Sequence, residues 1–213
     1  AEDVDLIVPE VNEPQFTRGI IANPNCSTIQ SVVPLKILQD AFGLKRVAYT
    51  TYQAVSGSGI KGKRDLAEGA NGKEPEAYPY PIYNNVLPHI DVFLENGYTK
   101  EEQKMIDETK KILNDQDLKV TATCVRVPVQ DSHSIEIDVT LNQDTTVKEI
   151  QKLFAQDQRV VLVDNPSKNE YPLAIHSTGK DEVFVGRIRR DDSLENTFHV
   201  WCTSDLSLIH ISE

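Results

Sequence analysis

Apolar and polar positions alternate with a period of two in "LKVTATCVRVPV" (118–129) and "HSIEIDVTL" (133–141), the signature of strands with one buried face. "KRVAYTTYQ" (45–53) is β-branched and aromatic and reads as a further strand, as do 159–163, 182–190 and 198–203, with Asp191-Asp192-Ser193 turning between the last two. "VDLIVPEVN" (4–12) and "GIIANPN" (19–25) read as short buried strands that end in Pro and Asn turns. The period changes at Ser27, where Ile29, Val33 and Ile37 recur every four residues along one helical face. Pro34 inside that run predicts a kink or an irregularity. "TKEEQKMIDETKKIL" (99–113) is the clearest helix: Thr99 and Glu102 have capping-box spacing, and Met105, Ile106, Ile112 and Leu113 supply its apolar face. Lys110 and Lys111 favour its C-terminal end electrostatically. Thr146 and Glu149 repeat the capping-box spacing before a short helix with Ile150, Leu153 and Phe154. "AVSGSGIKG" (54–62) reads as a glycine loop and 64–90 as a long irregular stretch. Runs of strands separated by a few helices predict an α+β domain with a mixed, largely antiparallel sheet and most helices on one face.

The chain has 213 residues, 39% hydrophobic and 26% charged, the balance of a globular protein. Its formal net charge of −11 disfavours nucleic acid and anionic membrane as partners, and leaves room for a local basic pocket for a small anion. No apolar run is long enough to span a bilayer and no signal peptide is visible, so a cytoplasmic protein is expected. Three cysteines, Cys26, Cys124 and Cys202, are too few and too widely spaced for a disulfide framework or a clustered metal site. The five histidines are scattered, and no metal is expected.

"NPNCSTIQ" places Cys26 where a helix begins. Unpaired N–H groups at a helix N-terminus lower a thiol pKa and can hold the oxyanion formed when a thiolate attacks a carbonyl. Cys26 is thus either a nucleophile with a lowered pKa or a small core residue. His133, in "PVQDSHS", is the best-placed proton carrier, with an exposed turn residue as the plain alternative. His176 is weaker, and His89 and His199 sit in less suitable contexts. Arg126 interrupts an apolar strand, as a carboxylate clamp or a structural ion pair. Glu101 and Lys104 share a helical face, either as a solvated pair or lining a site for an ammonium group and a phosphate. "SGSG" (56–59) has backbone N–H groups that suit a phosphate, but no strand–GxGxxG–helix unit is present.

Five blocks in order, "NPNCSTIQ", "TYQAVSGSG", "EEQKMIDETKKIL", "TATCVRVPV" followed by His133, and "VGRIRRD", resemble aspartate-semialdehyde dehydrogenase over roughly residues 4 to 205. The resemblance implies a fold like the C-terminal domain of glyceraldehyde-3-phosphate dehydrogenase. It implies Cys26 as nucleophile, His133 as general acid and base, and Gln53 as support for the thioacyl intermediate. Arg126 would bind the substrate carboxylate, Glu101 its amino group, and Asn25 and Lys104 the phosphate. Ser56, Gly57 and Gly59 would lie against the nicotinamide cofactor, NADPH. The implied reaction is reductive dephosphorylation of L-aspartyl-4-phosphate to aspartate 4-semialdehyde, by a homodimer, on the way to lysine, methionine, threonine, isoleucine and diaminopimelate.

The family's Gly-rich nucleotide-binding fold, with its phosphate-binding Arg, has no counterpart here. Residues 1–25 resemble its last strands, 26–205 a catalytic and dimerisation domain, and "LSLIHISE" (206–213) an atypical tail where the family continues into a helix. The chain alone is therefore expected to bind NADPH poorly and to turn over little. N-acetyl-glutamyl-phosphate reductase is the alternative of like chemistry, although its members would not combine Glu101, Lys104 and Arg126. A non-catalytic paralogue is the other alternative.

Overall fold

A computed structural model describes residues 4–13 and 21–205. The start of the expected strand at 19–25 and the tail 206–213 lie outside the described residues. A six-stranded sheet has the order β4(Lys119–Arg126), β3(Leu44–Gln53), β5(His133–Leu141), β8(Thr197–Ser204), β7(Val183–Arg190), β6(Val160–Leu162). Its three central pairings are antiparallel, and the β3–β4 and β6–β7 pairings at the two ends are parallel, which is the mixed sheet expected. A separate parallel pair, β1(Asp5–Leu6) and β2(Ile21–Ala22), is only partly buried, because each strand is two residues long.

On one face lies α1(Cys26–Phe42), against β3, β5, β7 and β8 and flanked by α3(Lys100–Ile112) and α4(Val147–Gln156). Helix α1 is buried nearly all round, with Ile29, Val32, Val33, Leu35, Ile37 and Leu38 in the core. It runs through Pro34 as one continuous helix. Alternate side chains of β5 and β8 (Ile135, Ile137, Val139; Phe198, Val200, Cys202) meet it from the sheet. The expected apolar face of α3 is buried, and both capping boxes are formed. Thr99, with its side chain on the N–H of Glu102 and its own N–H on that Glu carboxylate, is 1% exposed. Thr99→Ala is expected to lower stability by about 1 kcal/mol, read as a lower urea midpoint at unchanged slope.

The expected glycine loop is a correction. Residues Val55–Ser58 form a 3-10 turn that runs into α2(Gly59–Gly69). Two glycines hid the helix, which tertiary contacts hold: the Asp65 carboxylate accepts from the N–H groups of Glu76 and Ala77. Gly62 is needed there, because a Cβ would stand 2.7 Å from Val55 O, Ser58 Cβ and the Tyr78 hydroxyl. The irregular stretch expected over 64–90 thus begins only after Gly69, and within it Leu87 pairs backbone to backbone with Arg126 on the edge of β4. The short α5(Ala174–Ser177) contacts β8, and with Tyr171 and Pro172 it borders a cleft of about 640 Å³ on the opposite sheet face, beside Tyr52 and Trp201.

Candidate active site

The N-terminus of α1 is fixed by Asn25, one residue earlier than the sequence pattern suggested. Its side-chain oxygen accepts from the N–H of Ser27 at 2.8 Å and of Thr28 at 3.3 Å. Cys26 is thus the first helical residue and remains partly exposed, whereas Cys124 and Cys202 are buried. Those two are core residues: burial pushes each thiol up to about 12, and Gln30 Nε2 rests against Cys202 Sγ.

Below Cys26 sits a buried carboxylate. Glu101 Oε1 accepts from Asn25 Nδ2 at 2.7 Å and from Gln53 Nε2 at 3.3 Å, so three of the sequence candidates meet. Glu101 is 7% exposed and Gln53 2%. Glu108, which the sequence reading missed, accepts from the N–H of Asn25 at 2.8 Å, and burial raises its pKa. Only its spacing of seven from Glu101, two turns along the same face of α3, pointed to it.

This arrangement corrects the expectation for the thiol. Burial pushes Cys26 up to about 11, the charge of Glu101 adds to the rise, and the N–H and hydroxyl of Ser27 and the charge of Arg126 oppose it. The helix terminus acts in the expected direction and is outweighed. Lys104 and Glu101 are not a solvated pair either: Lys104 lies 3.6 Å from Asp91 at the surface, while Glu101 turns inward.

Arg126 ends β4 and is 6% exposed. Its Nη1 donates to Ala54 O at 2.7 Å, its guanidinium lies 5.9 Å from the centre of the Tyr78 ring, and its Nε has no partner among the described residues. His133 is a second correction. It is the first residue of β5 and 6% exposed, because the turn ends at Ser132, whose φ is +70°, and the strand begins at once. Burial, then the charge of Arg126, lowers its pKa to about 4, against a weaker pull from Asp205. Gln30, one turn beyond Cys26 on α1, donates to His133 O at 3.2 Å, so α1 and His133 lie on the same side of the sheet.

The glycine turn is also less open than expected. The N–H groups of Val55, Ser56 and Gly59 are spent on Val129 O, Gln130 O and Ser56 O, and do not form a phosphate cradle. A Cβ on Gly57 would stand 3.3 Å from Arg126 Nη1 and 3.9 Å from His133 Nε2, so a side chain there would crowd the guanidinium. Among the described residues, one group offers metal-type ligands, Asp138, Asp191 and His199, on the other face of the sheet.

The model of the semialdehyde dehydrogenase dimerisation domain matches residues 35–206. The chain belongs to this family. Aspartate-semialdehyde dehydrogenase of Aquifex aeolicus (strain VF5) is 48% identical over 214 residues, which cover 95% of this chain and 63% of the relative. The crystal structure of aspartate semialdehyde dehydrogenase II complexed with ASA from Vibrio cholerae superposes with a TM-score of 0.90 at 39% identity, covering 96% of this chain and 63% of that one. Aspartate semialdehyde dehydrogenase with NADP from Candida albicans gives 0.70 at 26% identity, covering 97% and 63%. This semialdehyde dehydrogenase family chain therefore spans 63% of the length of these relatives, and its α+β architecture is theirs.

Proposed function

We propose that this chain is the catalytic and dimerisation portion of an aspartate-semialdehyde dehydrogenase. Such an enzyme makes L-aspartate 4-semialdehyde from L-aspartyl-4-phosphate with NADPH, for amino-acid biosynthesis. The observation that carries the reading is the convergence of Asn25, Gln53 and Glu101 around Cys26, with Arg126 and His133 on the same side of the sheet. Relatives named for this activity support it.

The chemistry follows from the groups present. Glu101 is a buried anion suited to an ammonium group, and Arg126, with an unpartnered Nε, suits a carboxylate; together they hold an amino acid by its two charged ends. As Cys26 attacks the acyl carbon its thiol proton passes to His133, the bond to the phosphate oxygen breaks, and inorganic phosphate leaves with that proton. Lys104 lies at the surface in a 3.6 Å pair with Asp91, which a phosphate would displace, and Asn25 supplies an amide nearby. Gly57, which has no side chain to crowd Arg126, would lie with Ser56 and Gly59 against the nicotinamide end of NADP. When bound, that cofactor supplies hydride to the acyl carbon. The open sheet face carrying Tyr52, Glu136 and Trp201 is the proposed surface for a second copy, consistent with the family's name. No helix among the described residues is long and apolar enough to cross a membrane.

The test is NADPH consumption by the protein carrying the full length of the relatives, offered L-aspartyl-4-phosphate or N-acetyl-glutamyl phosphate. Turnover of the first, lost in Cys26→Ser, is expected. Preference for the second, or turnover that survives the substitution, would overturn the reading.

A further inference from the structure

The guanidinium of Arg126, buried at the end of β4, is held at two points. Nη1 donates to Ala54 O at 2.7 Å, and the ring of Tyr78 lies against the group, 5.9 Å from its central carbon to the ring centre. Nε is buried and has no partner among the described residues, so it is a donor left for a ligand. A planar group held by one hydrogen bond can pivot about that bond. A ring face against it removes that freedom.

The segment that brings Tyr78 there is itself fixed. The Asp65 carboxylate on α2 accepts from the N–H groups of Glu76 and Ala77, and Arg64 pairs with Glu76. Tyr78 then packs on the small cluster of Val55, Ile82 and Leu87. Its hydroxyl ends over Gly62, in the place a Cβ on that glycine would crowd. That hydroxyl is buried and has no partner among the described residues, so its removal breaks no hydrogen bond. What Tyr78 supplies is therefore the face of its ring.

We propose that Tyr78 is a positioning residue of this site: its ring holds the Arg126 guanidinium in the orientation that offers Nε to the substrate carboxylate. The proposal rests on the reading of Arg126 as the carboxylate clamp. The negative face of an aromatic ring attracts a cation without accepting its in-plane N–H groups. A carboxylate in the same place would hold the cation too, but would compete with the substrate for those donors. The sequence reading passed over Tyr78 because an aromatic residue in a Pro-rich irregular stretch carries no chemical mark of its own.

The experiment is steady-state kinetics on the protein carrying the full length of the relatives, with L-aspartyl-4-phosphate and NADPH. Tyr78→Phe keeps the ring and is expected to hold KM within about twofold. Tyr78→Leu is expected to raise KM about tenfold while kcat stays within about twofold. Tyr78→trifluorophenylalanine, fluorinated on the ring, keeps the shape and removes the negative face, so it separates charge from packing even where the Leu variant folds poorly. Its KM is expected to exceed that of Tyr78→Phe about fivefold. In an Arg126→Ala background the fluorinated ring is expected to change kcat/KM by less than about twofold, because the group it acts through is gone. Equal KM values for the plain and fluorinated rings, or an undiminished effect without Arg126, would overturn the positioning role and leave the clamp standing. An Arg126→Ala protein with the KM of the wild type would overturn the clamp, and the proposal with it.

Discussion

Glu101→Gln is expected to make the Cys26 thiol about tenfold more reactive toward iodoacetamide near neutral pH. The thiol stands at about 11, raised first by burial and then by the Glu101 carboxylate. Well below that value the thiolate fraction grows tenfold for each unit by which the pKa falls. Removing a like charge at close range lowers it by about one unit or more. The substitution is close to isosteric, and a Gln carbonyl oxygen still accepts from Asn25 Nδ2 and Gln53 Nε2, so the geometry is retained. The measurement is the alkylation rate against pH, with the modified peptide identified by mass. An unchanged or slower rate would show that Glu101 does not govern the sulfur. An ammonium group bound to Glu101 neutralises the same charge. L-aspartate is therefore expected to speed the wild-type reaction, and succinate, which has no ammonium group, to leave it unchanged.

Acid is expected to destabilise the fold through His133. Its pKa is about 4 in the folded chain against 6.5 for the free side chain. Between those values the unfolded chain binds the proton and the folded chain does not, so stability is complete above pH 6.5 and falls as pH drops toward 4. The difference corresponds to about 3 kcal/mol. Urea unfolding from pH 7.5 to 4 should show this loss in the wild type, and His133→Gln should show a flatter profile by roughly that amount. Parallel profiles would mean that His133 takes up its proton over the same pH range in the folded chain as in the unfolded one. Glu108, whose pKa is raised by burial, acts in the opposite sense, and comparison of the two chains cancels it.

Most of the sheet and the two amphipathic helices were legible because local and tertiary preferences agree there. Thr99–Glu102 and Thr146–Glu149 cap helices whose apolar positions face the core, and the alternation in 133–141 matches one buried face. Helix α2 was hidden because Gly59 and Gly62 signal a loop, while the contacts that keep it helical come from Asp65 with Glu76 and Ala77, and from Tyr78. At the site, the residue types at Cys26, Glu101, Arg126 and His133 were readable, but their electrostatics were not. The rise of the Cys26 thiol depends on a carboxylate folded beneath it from a helix 75 positions away in sequence. The His133 ring is held by a main-chain N–H, that of Ala54, which no side-chain pattern reports.

The contact between Leu87 and Arg126 has a consequence for the company the chain keeps. An uncovered outer strand offers a row of free N–H and C=O groups to any foreign strand, the usual start of aggregation. At the β4 border Leu87 takes both main-chain groups of Arg126, while the other border, β6, is only three residues long. A deletion that removes Leu87 and its neighbours would bare the rim next to Arg126, and self-recruitment into oligomeric ribbons should begin there.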